Sequence, residues 1–154
     1  MNDLAGQWKM NANIEHRTSN IEHRILNIEH QTEIRKLNDS KYDLEERLLG
    51  YSANIVHLIE QFSNTRAGNH VAGQLLRSGT SALPNHGEAQ AAESSADFVH
   101  KMKLCLKELR ESHRWLLLAR RVPLTDRADE MTALINETDE LIRIFVKSLQ
   151  TAQK

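Results

Sequence analysis

The chain contains a single cysteine, Cys105, so no internal disulfide can brace the fold, and stability must come from burial. It has no long apolar run either. The longest uninterrupted one is Trp115-Leu-Leu-Leu-Ala119, far short of the roughly 20 residues that span a bilayer, so no membrane segment is expected. Nor is there an excess of either charge: 20 Lys and Arg stand against 21 Asp and Glu, a formal net charge of -1. No global field then draws the protein to nucleic acid or an anionic membrane, and any polyanion site must be a local patch. The opening Met1-Asn-Asp-Leu-Ala-Gly-Gln-Trp8 lacks the basic-then-apolar layout of a signal peptide, which makes a reducing cytoplasm the expected compartment. A length of 154 residues suits one modest domain.

Residues 1–40 read as a low-complexity tail built on a heptad: Asn13-Ile-Glu-His-Arg-Thr-Ser19, Asn20-Ile-Glu-His-Arg-Ile-Leu26, Asn27-Ile-Glu-His-Gln-Thr-Glu33. A coiled coil needs two apolar positions per heptad, and only the Ile14, Ile21, Ile28 position repeats faithfully. The pattern therefore predicts a flexible or partly helical tail. His16, His23 and His30 recur every seven residues, about 10.5 Å apart on a helix and too far to share one metal ion.

From 41 to 154 the apolar spacing predicts one all-α domain. A first helix starts at Asp43 and buries Leu44, Leu48, Tyr51, Ile55, Leu58 and Phe62 in steps of four and three. Asn64 or Thr65 caps a second, running from Arg66 to about Ala92 and rich in small residues; its glycines imply close approach of a neighbouring backbone, and Pro84 implies a kink. Ser94 or Ser95 opens a third helix, with a core stripe of Phe98, Met102, Cys105, Leu109, Ser112, Leu116 and Ala119. A second stripe, Leu104, Glu108, Glu111, Trp115 and Leu118, implies a contact on another side, such as one between subunits. After Pro123, Thr125 or Asp126 opens a fourth helix that buries Met131, Ile135, Thr138, Ile142, Phe145, Leu149 and Ala152. Four such helices joined by short turns predict an antiparallel up-down four-helix bundle.

Catalytic patterns are missing. No bundle helix supplies the Glu-x-x-His pair of di-metal carboxylate sites, and there is no paired-cysteine site or glycine-rich phosphate loop. Cys105 lies on a core stripe, where its thiolate is disfavoured. A protein without catalytic residues, cofactor or metal is the expectation.

The stretch Gln74-Leu-Leu-Arg-Ser-Gly-Thr-Ser-Ala-Leu-Pro-Asn-His-Gly-Glu-Ala-Gln90 sets Arg77, Ser81, Asn85 and Glu88 on one helix face. With Tyr42-Asp-Leu-Glu-Glu-Arg-Leu48 and the segment from Lys107-Glu-Leu-Arg-Glu111 to Trp115, it resembles a bacterial four-helix-bundle family. That family includes proteins encoded in 23S rRNA intervening sequences and the accessory variability determinant of diversity-generating retroelements. The resemblance implies a homopentameric barrel and, in the retroelement branch, engagement of a reverse transcriptase and its RNA. In one branch the proline sits one position earlier. Retroelement accessory proteins are typically basic, so this near-neutral chain looks more like the intervening-sequence branch.

Two constellations stand out. Arg77, Ser81, Asn85 and Glu88, with Glu108 and Glu111 facing Arg77, form either a structural polar network or a ligand site. Lys103, Lys107, Arg110, Arg114 and Arg121 fall within about 60° on the third helix, opposite its core stripe. This ridge is either a solvated face neutralised by the acidic fourth helix (Asp129, Glu130, Glu137, Asp139, Glu140) or a phosphate-binding face for RNA or DNA. No aromatic interleaves the ridge, so indifference to base sequence is expected.

Overall fold

The computed structural model describes residues 23–32 and 44–153, all of whose regular structure is helical. The chain divides into two units, Met1–Asp43 and Leu44–Lys154. In the first, residues 23–32 form a helix exposed along its whole length, and Ile28 of the repeat is 63% exposed. The rest of the repeats, the 40/41 boundary and the Asp43 cap lie outside the described residues.

The second unit is a packed helical bundle. Its helices are α1 (residues 44–59), α2 (Arg66–Gln90), α3 (Ser95–Arg121) and α4 (Ala128–Ala152). The Thr65 hydroxyl accepts from Gly68 N at 3.0 Å and the Ser94 hydroxyl from Asp97 N at 3.2 Å. Each such cap contributes about 1 kcal/mol by pairing an amide that the helix leaves orphaned. The start of α4 differs from expectation. Arg127, with no side-chain cap bond, takes the N-cap position, and the Thr125 hydroxyl accepts from Arg127 N at 3.2 Å just before the helix. Pro84 lies inside α2, which runs on through it to Gln90.

The apolar stripes become a single core. Leu48, Ile55, Leu58, Leu75, Leu109, Leu116, Leu141 and Phe145 are fully buried. On α4 the buried set departs from expectation: Leu134 and Leu141 are buried, while Ile142 is only partly so and Ala152 is exposed. Hydroxyl pairs sit inside this core, Ser78 with Ser112 and Tyr51 with Thr138, each 3.0 Å apart. Burial pushes the Tyr51 phenol above its ordinary pKa.

Arg77 meets Glu111, Ser78 meets Ser112, Ala82 meets Cys105 and Glu88 meets Lys101. From Ser78 through Ala82 to Glu88 on α2, the partners on α3 fall from Ser112 through Cys105 to Lys101, so these two helices run antiparallel. Ser63 N donates to Leu124 O at 2.7 Å, which ties the α1–α2 turn to the α3–α4 turn. Close approach accounts for two α2 glycines only. A Cβ at Gly79 would lie 2.8 Å from Ile55, and one at Gly68 would lie 2.1 Å from the Ser63 carbonyl oxygen, whereas at Gly73 and Gly87 it would meet nothing within 4 Å.

Candidate nucleic-acid-binding face

Helix α3 is amphipathic with opposite faces of opposite purpose. Met102, Cys105, Leu109, Ser112, Leu116 and Ala119 are buried, and Lys103, Lys107, Arg110, Arg114 and Arg121 are all exposed on the far side. The ridge meets little negative charge. Lys107 reaches Glu108 at 3.5 Å, while Lys103, Arg110, Arg114 and Arg121 form no ion pair with any described carboxylate. Among the described residues, no acid of α4 forms an ion pair with the ridge. Glu137 and Glu140 hold Arg47 of α1, Asp139 lies 3.3 Å from His113, and Glu130 pairs with Arg127.

That Arg47 cluster has no counterpart in the sequence reading. The guanidinium donates to both oxygens of Glu137, the second at 2.8 Å, and also to Glu140. A fork between planar groups is the strong form of the ion pair, and hydrogen bonding to Glu137, then to Glu140, raises the Arg47 pKa above its ordinary value. The only hint available in sequence is that Glu137 and Glu140 are three residues apart, on one helix face.

The polar stripe of α2 does not act as one unit. Arg77 spans to α3, pairing with Glu111 and with Glu108 at 3.4 Å. Glu88 spans separately to Lys101. Between them the Ser81 hydroxyl donates to Arg77 O, and Asn85 Nδ2 donates to Ser81 O at 2.8 Å, both within their own helix. Ser81 and Asn85 thus bond back to the preceding turn of their own helix. Arg77 is 53% exposed, so its pairs fix the register of α2 on α3 more than they add stability.

Chemistry at Cys105 is suppressed. The side chain is fully buried with Sγ 3.5 Å from Ala82 O, and desolvation pushes the thiol up to about 12. Among the described residues no group of three or more His, Cys, Asp or Glu is placed to hold a metal ion, and no helix is long and apolar enough to cross a membrane.

Comparison with known proteins adds the lineage. No curated protein matches the chain. The crystal structure of a protein with unknown function from the S23 ribosomal protein family of Bacteroides thetaiotaomicron VPI-5482, determined at 1.70 Å, is similar at 30% identity and a TM-score of 0.63. That similarity covers 69% of this chain and 97% of the other. The model of the 23S rRNA-intervening sequence protein family matches residues 41–147, which includes all of α1, α2 and α3 and most of α4. On that span, the chain belongs to the 23S rRNA-intervening sequence protein family.

Proposed function

We propose that this protein is a non-enzymatic, self-assembling four-helix bundle of up-down topology that serves in the cytoplasm as an accessory factor on nucleic acid. The observation that carries this reading is the α3 ridge, five exposed cations of which four have no described carboxylate partner. Exposed positive charge outside ion pairs recruits phosphates and releases their counterions. A chain of net charge -1 holds polyanions weakly by itself. Repetition of the ridge around an oligomer multiplies that attraction without any new contact. Five subunits follow from the family resemblance and a reverse transcriptase as partner from its retroelement branch, while the near-neutral composition favours the intervening-sequence branch.

The test is retention of structured RNA and duplex DNA by the purified protein at about 50 mM salt, where such contacts are strong. Affinity should fall as salt rises, and changing Lys107, Arg110 and Arg114 together to glutamine should flatten that dependence while the helical spectrum stays unchanged. Absence of retention at low salt would remove the nucleic-acid role. The second reading, a purely structural oligomer, would then take its place; it is favoured by Leu49, Val56, Leu76, Leu118 and Val122, exposed at 50%, 36%, 42%, 42% and 47%.

A further inference from the structure

The ridge does not stand alone on α3. Lys107 and Arg114 also line a groove of about 490 Å³ completed by Glu111, Trp115 and Leu118. Sequence spacing separates Trp115 from the basic residues, since it belongs to the second stripe. In three dimensions the half-buried indole shares a surface with two of the five ridge cations.

The indole is held in place before anything binds. Its Nε1 donates to Glu111 Oε1 at 3.4 Å, and the His70 ring meets it edge-on with centroids 5.9 Å apart and an interplanar angle of 77°. The Glu111 carboxylate is engaged by Arg77, so its charge is met within the protein and repels an incoming phosphate less. Leu118, 42% exposed, supplies an apolar wall beside the indole. A fixed aromatic surface flanked by two exposed cations, Arg114 without a described carboxylate partner and Lys107 with only Glu108 at 3.5 Å, is the arrangement that receives a base and its adjoining phosphates.

We propose that Trp115, Lys107 and Arg114 form a stacking site for an unpaired nucleobase of a single strand, with the remaining ridge tracking the backbone that leads to it. The proposal rests on the nucleic-acid reading above and sharpens it. A base inside a duplex is covered on both faces by its neighbours and cannot offer one to the indole. The groove therefore selects single-stranded segments, and the earlier expectation of a ridge without stacking gives way to preference by strandedness.

Two tryptophans are present, so a Trp8→Phe variant of the full chain makes Trp115 the sole indole reporter. Titration with an oligoadenylate of about twelve nucleotides at about 50 mM salt should quench that emission to saturation. An RNA duplex of equal length should bind at least about tenfold more weakly and leave the emission unchanged. Trp115→Leu should weaken oligoadenylate binding about tenfold or more while keeping the salt slope, and Trp115→Phe should recover most of the loss. Lys107→Gln with Arg114→Gln should lower the slope instead. Circular dichroism establishes that each variant folds, and the quenching of the Trp8→Phe protein decides the matter if Trp115→Leu does not. Binding of labelled oligoadenylate without quenching, or equal affinity for single strand and duplex, overturns the stacking site and leaves the ridge reading standing. Failure of both probes to bind overturns both.

Discussion

A methyl group added at Gly68 would collide with the Ser63 carbonyl oxygen, a backbone atom held by the turn that starts α2, and the turn has to move to admit it. At Gly73 the same methyl meets open space. Relative to alanine, glycine costs a helix interior about 1 kcal/mol, so the two substitutions should move stability in opposite directions. In urea denaturation monitored by circular dichroism, Gly68→Ala should lower the midpoint, and Gly73→Ala should raise it by up to about 1 kcal/mol of stability. Equal effects would show that the close approach at Gly68 relaxes freely. Cys105 makes a second residue-scale prediction. Its thiol stays neutral in the fold up to about 12, against an ordinary 9.0 once the chain unfolds. The unfolded chain therefore releases a proton first on raising the pH, and the contribution of the buried thiol to stability, fully present below about 9, declines between about 9 and 12. Cys105→Ala should remove that part of the alkaline slope, and in the native protein at pH 8 the thiol should resist alkylation.

Among the elements, α3 was the most legible because its period-3.6 stripe runs unbroken from Phe98 to Ala119, and a helix with one clear core face assigns its opposite face at the same time. The exposure of the ridge follows from that. Helix α4 was less legible because periodicity leaves a choice after Thr138: Leu141 and Ile142 are steps of three and four, and the structure buries Leu141 while Ile142 is only partly buried. The partners of its acids were hidden from sequence for a different reason. Periodicity tells which residues share a face of one helix but not which helix stands opposite, and Glu137 and Glu140 turn out to face Arg47 of α1. The groove at Trp115 escaped the sequence reading through an opposite error, since sorting residues into stripes by angle separates neighbours that a surface joins. Arg114 and Trp115, adjacent in the chain, fell into different stripes and line one groove.

At the scale of the molecule, the five large apolar side chains exposed on the bundle are unevenly placed. Leu49 and Val56 lie one heptad apart on α1, and Leu76 lies on α2; the Ser52 hydroxyl, between the two α1 residues in sequence, bonds to Gly79 O at 3.3 Å. Leu118 and Val122 lie at the far end of α3. Two dissimilar apolar areas on one chain suit head-to-tail contact, which closes into a ring when the rotation allows. Light scattering should then give a species several times the 17.6 kDa chain mass. Leu76→Lys and Leu118→Lys, each at a position the bundle leaves open to solvent, should shift the protein towards monomer with its helical content intact. A clean monomer of the unmodified protein at micromolar concentration would remove self-assembly from the functional reading. The Leu76→Lys variant, which leaves the groove at Trp115 untouched, decides how the ridge works. A monomer keeps all five cations, so if each chain binds independently, retention of RNA should survive dissociation; if affinity comes from repetition of a weak site, retention should collapse and the salt slope fall with it. The near-zero net charge of the chain argues for the second outcome, because a single subunit holds a polyanion through one ridge against the repulsion of its own carboxylates.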